Sequence, residues 1–208
     1  MKKMFSLALA IVMSLCLLIP ASAMESNSAM NASATLRKME IQNEMANAEE
    51  MLGGPCKLQS EETKLVGDYV VESRLYVLAD QTAVSAASSD GQCGGVSSHT
   101  WRMIGHSEWD TKVLFAAYFT YNGSNAICNR SESRFWAIEQ DNTVINENFN
   151  EEFRYTDTSA LSSKAKAKCD YAMDGSNSSD PPGIYGTLTV TCTKTGVVGI
   201  ENNGPSVY

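Results

Sequence analysis

His99 and His106 are the only imidazoles in the 208-residue chain, so any histidine-dependent chemistry has to use them. They bracket a patch that also holds Trp101, Arg102, Glu108, Trp109 and Asp110. Two imidazoles with Glu108 or Asp110 make a donor set suited to a transition metal, which points to a secreted hydrolase or metalloprotein. Extended backbone over 96–103 would place His99 on one face with Trp101 and Met103, while His106 follows Gly105 into a turn. Convergence then needs a specific bend, and two unrelated histidines are the simpler reading.

Other reaction centres are harder to assemble. A Cys–His nucleophile from Cys93 and His99 would need spatial contact, which nearness in sequence does not give. Gly-x-Ser-x-Gly and His-Glu-x-x-His are absent from the sequence. The acidic doublets Glu49-Glu50 and Glu151-Glu152 diverge on a helix or a strand, so neither forms a glycosidase pair. Oxygen ligands alternate at Asn146, Asn148, Asn150 and Glu152, and again at Asp174, Ser176, Ser178 and Asp180, but neither run has the glycine and late glutamate of a calcium loop. No cofactor is indicated.

Aromatic side chains offer a binding chemistry instead, because the apolar face of a sugar stacks on a ring. Trp101, Trp109, Trp136, Tyr118, Tyr121 and Tyr155 are available, and Trp109, between Glu108 and Asp110, is the tryptophan best placed for exposure. The row Lys164, Lys166, Lys168 reads as a solvated face or a guarded sheet edge before it reads as an anion site. Asn-x-Ser sequons at Asn31, Asn122, Asn129 and Asn177 matter only in a glycosylating host.

The elements that must position these groups are mostly strands. A period of two runs from Tyr69 to Val77, through Val96–Met103, Val113–Tyr121, Phe135–Gln140 and Asn148–Tyr155. It is cleanest from Lys164 to Tyr171, with Ala165, Ala167, Cys169 and Tyr171 inward, and recurs over Thr187–Thr193 with Leu188, Val190 and Cys192 inward. Turn-forming clusters separate the runs, and no helix follows each strand. The pattern predicts a mainly β fold, an antiparallel sandwich or open barrel of about seven or eight strands. One amphipathic helix precedes it over 35–54: Ile41, Met45, Ala48 and Leu52 line one face, and Gly53-Gly54-Pro55 stops it. Its methionine stripe is read as packing on its own domain rather than on a partner.

The N-terminus has the three parts of an export signal: Lys2-Lys3, an apolar run from Met4 to Ile19, and Ala21-Ser22-Ala23 for a small-residue peptidase pocket. The run is shorter than the ~20 residues that span a bilayer, so 1–23 is expected to be removed after Ala23. Leu15 before Cys16 does not suit a lipoprotein site, and the short basic start resembles bacterial signals. Small polar residues over 24–34 suggest a disordered leader, and 55–208 a disulfide-stapled β-domain. Processing leaves 14 basic against 24 acidic residues, net −10, an acidic surface that disfavours nucleic acid and anionic membranes.

Five cysteines stay with the processed chain: Cys56, Cys93, Cys128, Cys169 and Cys192. No CxxC spacing occurs, so thiol pairing in an oxidising compartment is the main expectation. Inward positions on adjacent strands favour Cys169 with Cys192, and turn-rich surroundings favour Cys93 with Cys128. Cys56 is then the free thiol, with Cys56–Cys93 as the main rival bridge. The resulting expectation is a secreted, acidic, non-catalytic binding module for an extracellular protein or carbohydrate, with no transmembrane segment after processing.

Overall fold

The computed structural model describes residues 21–79, 90–105, 110–138, 149–157, 161–175 and 183–207. All but the last three residues of the expected export segment lie outside them. The chain divides into two compact units, Met1–Glu44 and Met45–Tyr208. The first is helical wherever it is described. The second holds the end of that helix and all the strands.

Helix α1 (Ala21–Leu52) starts well before Thr35, so residues 24–34 are helical and not the leader that their polarity suggested. The reason is local: Ala21, Ala23, Ala29, Ala32 and Ala34 favour the helix, and no glycine or proline interrupts it. Gly53 ends it at a φ of 70°, with the N–H groups of Gly53 and Gly54 both donating to the Glu49 carbonyl. Within the second unit, Ala48, Met51 and Leu52 bury themselves on Tyr76, Val96, Leu114 and Ala116, with Met45 packed alongside. The stripe thus covers its own sheet.

Ten strands follow among the described residues, all antiparallel, in two sheets. The first sheet is a meander of β1 (Cys56–Val66), β2 (Tyr69–Leu78), β3 (Gly91–Met103), β4 (Asp110–Tyr121) and β5 (Ala126–Ile138). The second runs in the order β10 (Asn203–Val207), β8 (Ile184–Thr193), β7 (Lys164–Gly175) and β6 (Phe149–Asp157), with β9 (Val198–Ile200) also on β8. Neither sheet closes into a barrel, as a sandwich or open barrel requires.

The period-two alternation decides which side chains meet. Val71, Leu75, Cys93, Trp101, Val113, Phe115 and Phe119 of the first sheet share one buried core with Ala165, Ala167, Cys169, Tyr171, Leu188, Val190 and Cys192 of the second. Lys164 and Lys166 point outward, where Glu201 accepts from both and is held below the usual carboxylate range. Their strand β7 is flanked by β6 and β8, so the lysines guard a face and not an edge.

Strand β1 is one of the elements that the sequence pattern missed, along with β9 and β10. It is an edge strand, exposed on both faces over most of its length, so selection for burial leaves no alternation in Lys57–Lys64. Its register is set by the two-residue turn Gly67-Asp68, where Gly67 takes the positive φ of 56° that tight hairpins need.

Candidate functional site

Of the histidine patch, His99 and Asp110 come apart in the fold. His99 lies on the inner face of β3, opposite Ser73 of β2 and Val113 of β4, and is wholly buried. Asp110 pairs with Arg102, which the alternation puts on the outer face, and accepts from Arg102 Nε at 3.0 Å. His99 and Asp110 therefore face opposite sides of one sheet and cannot share a metal. His106, Glu108 and Trp109 lie outside the described residues.

Instead His99 belongs to a hydrogen-bond chain across the core. Strand pairing along one edge of β8 is interrupted between β9 and β10, and Asn202 sits in the gap. Its Oδ1 accepts the backbone N–H of Thr189 at 3.1 Å and the hydroxyl of Ser97 at 3.2 Å, satisfying an amide the sheet leaves over. A backbone N–H can only donate, so this contact fixes the side-chain amide: Asn202 Nδ2 faces His99 Nε2 at 3.3 Å as the donor. Nε2 is then the acceptor, and the imidazole proton sits on Nδ1, which donates to the Tyr171 hydroxyl at 2.7 Å. Trp101 Nε1 donates to the same oxygen at 3.0 Å. Burial, with the Lys64 charge adding, pushes His99 down to about 3, so it is neutral at physiological pH. Both ring nitrogens are engaged and no solvent reaches them. The residue pins two sheets together and is closed to catalysis and metals.

Asp110 is part of a second ionic group on the outer face of the first sheet. Arg74, fully buried, donates from Nε to Glu61 Oε1 at 2.8 Å and also pairs with Glu72. Glu72 accepts from Arg102 at 3.0 Å, and Arg102 reaches Asp110. Every carboxylate there has a guanidinium beside it, an ionic strut rather than an acid–base pair.

The register also redraws the thiols. Cys169 stands opposite Leu188, and Cys192 opposite Ala165, so the two cysteines are four residues out of step, roughly 13 Å along the strands. Cys93 and Cys128 both pair with Phe119, from opposite sides, which separates them by two strand spacings or about 10 Å. Neither expected bridge fits the ~7 Å limit on Cα separation. Cys56 belongs to the cluster under α1, on the other face of the sheet from Cys93, which excludes the rival bridge as well. It is buried and pushed up to about 11 by that burial and by Glu49, hence unreactive.

Among the described residues, a pocket of about 400 Å³ lies at one end of the sandwich. Asp90, Gln92, Thr120, Asn122 and Asn125 supply carboxylate, amide and hydroxyl groups, while Tyr121, Ile127 and Leu161 supply the apolar wall. The β4–β5 turn shapes it: Gly123 takes a φ of 76°, and Asn122 Oδ1 accepts the N–H groups of Ser124 and Asn125 at 3.1 and 2.8 Å. Tyr121 is wedged between Gly91 and Gly196, where an added Cβ would come within 2.3 and 2.5 Å of its phenol. The sequence had offered Tyr121 as a binding aromatic without means to choose it. Of the others, Tyr118 lies on the far face under Arg130, Trp101 is core, and the side chains of Trp136 and Tyr155 lie outside the described residues, as do those of the two oxygen-rich runs. Among the described residues no group of three or more histidine, cysteine or acidic side chains converges as a metal site would need, and no helix is long and apolar enough to cross a membrane. No known family, curated protein or solved structure matches this chain.

Proposed function

We propose that the protein is an exported, non-catalytic binding module that holds a neutral, hydroxyl-rich ligand, an oligosaccharide, in the pocket at the Asp90–Tyr121 end of the sandwich. The observation that carries this reading is the make-up of the lining: among the described residues it holds one carboxylate, three amides and a hydroxyl beside a clamped tyrosine, and no lysine, arginine or histidine. Amides and a single carboxylate suit the paired donors and acceptors of sugar hydroxyls, and the apolar wall suits the C–H faces of the ring. Glycoside cleavage needs two carboxyl groups across the bond, and the lining holds one among the described residues. Export rests on the Lys2-Lys3, apolar and Ala21-Ser22-Ala23 sequence, and is supported if the mature product begins at Met24.

Titration calorimetry of the protein against a panel of neutral oligosaccharides tests the ligand class. At least one member should bind, and Asp90→Ala and Gln92→Ala should each weaken it about tenfold, the worth of one hydrogen bond of ~1.4 kcal/mol. Binding that ignores both substitutions, or none across the panel, contradicts the proposal.

A further inference from the structure

The strongest unassigned chemistry lies inside the sandwich, between Cys93 of β3 and Cys192 of β8. They belong to opposite sheets, are 99 residues apart in sequence, and bring their sulfurs to 2.6 Å. Unbonded carbon atoms, smaller than sulfur, stop at about 3.5–4.0 Å. A disulfide bond is ~2.05 Å. The pair therefore sits far inside contact distance and close to bonding distance.

The surroundings make that approach specific. Sheets pack about 10 Å apart, whereas bridged Cα atoms lie within ~7 Å, so the layers have to pinch where a bridge crosses. Small residues surround this spot: Gly95 and Ala117 on the first sheet, and Ala165, the strand partner of Cys192, on the second. A Cβ on Gly95 would fall 2.7 Å from a Val198 methyl and 3.2 Å from one of Val190, which shows how closely the layers meet. Backbone pairing fixes both ends, Cys93 to Phe119 and Cys192 to Ala165 and Val198.

We propose that Cys93 and Cys192 form a disulfide that staples the two sheets through the core. The oxidant is a disulfide of another molecule, a small dithiol couple or a thiol-exchange protein. The first cysteine thiolate attacks one sulfur of that disulfide and expels one thiolate, leaving a mixed disulfide. The second cysteine thiolate then attacks the protein sulfur and expels the other thiolate. Two protein thiols lose two electrons and two protons, and the incoming disulfide becomes two thiols. Both cysteines are buried once the sheets meet, and the contact with Cys192, with burial adding, pushes the Cys93 thiol far above its ordinary range, so exchange belongs to the chain before the layers close. The bridge takes up Cys93 and Cys192 and leaves Cys56, Cys128 and Cys169 as thiols.

The test is a peptide map of the full chain refolded in a buffer of reduced and oxidised glutathione, alkylated in denaturant without reduction. One cross-linked peptide should join Cys93 to Cys192, with Cys56, Cys128 and Cys169 alkylated and all five cysteines alkylated after reduction. Alkylation of Cys93 and Cys192 without reduction, or a link from either to another cysteine, overturns the assignment. A second readout uses thermal unfolding: reductant should lower the midpoint of the wild type and leave that of a Cys93→Ala, Cys192→Ala double variant unchanged. Equal sensitivity of the two would also overturn it. Neither readout depends on the pocket, so a failure here is distinct from a failure of the oligosaccharide titration.

Discussion

Tyr171 of β7 and His99 of β3 meet across the core at 2.7 Å, with the tyrosine oxygen accepting both the imidazole Nδ1–H and the indole N–H of Trp101. Seventy-two residues separate them in sequence. The contact joins the sheets through polar groups that water does not reach, in a position that the alternation alone would fill with an aliphatic side chain. Burial raises the Tyr171 hydroxyl far above its ordinary range, so it stays protonated.

Removing that oxygen should be expensive. Tyr171→Phe keeps the ring but strands two buried N–H donors, each costing about 1–3 kcal/mol. Urea unfolding should show a loss of about 3 kcal/mol, and a loss under ~1 kcal/mol would mean that the two donors find other acceptors.

Stability should also fall with acidity through His99. Its folded value of about 3 lies below the ordinary imidazole 6.5, so the folded state holds the neutral form and the unfolded chain takes up the proton first. The contribution is complete above pH 6.5 and fades as pH drops from there toward 3, for a total on the order of 5 kcal/mol. His99→Gln should be less stable at neutral pH and flatter across that window. The check is the denaturation midpoint against pH for both proteins.

On the outer face of the first sheet, Arg74 is fully buried between Glu61 and Glu72. Arg74→Ala leaves Glu72 with Arg102 alone and should cost about 3 kcal/mol, the usual penalty for breaking a buried pair. Glu72→Gln keeps the shape and leaves Arg74 with Glu61, so its cost should be nearer ~1 kcal/mol. Chemical denaturation of the two variants would rank them, and the reverse order would contradict this assignment of partners.

Reduction of a Cys93–Cys192 bridge, which closes a loop of about 100 residues, should lower stability by up to ~4.7 kcal/mol in the chain-entropy account. Paired urea curves with and without reductant measure it directly.

The sequence exposed its faces more readily than its partners. Local period placed Ala165, Ala167, Cys169 and Tyr171 inward and Lys164 and Lys166 outward, and put His99 on a face with Trp101, because burial acts on alternate residues of one strand. It could not show that His99 meets Tyr171 or that Cys93 meets Cys192. Those contacts depend on how two sheets stack, and stacking leaves no mark at short range. Asn202 escaped notice for a related reason: its role comes from a gap between β9 and β10 that exists only after both have paired with β8. The disulfide expectations failed on register, since Cys169 and Cys192 do lie inward on neighbouring strands but opposite Leu188 and Ala165. The pocket lining is drawn from residues 90–92, 120–127 and 161, and no single run of sequence signals it.

His99 is a sealed pin between the two sheets and not a reactive centre. Nitrogen-15 NMR of the imidazoles tests it most directly, by long-range proton correlations recorded from pH 7 to pH 5 with and without zinc. One imidazole should remain neutral throughout as the Nδ1–H tautomer, with shifts that zinc does not move. Loss of that tautomer near pH 6.5, or a zinc-dependent shift at His99, would contradict the account.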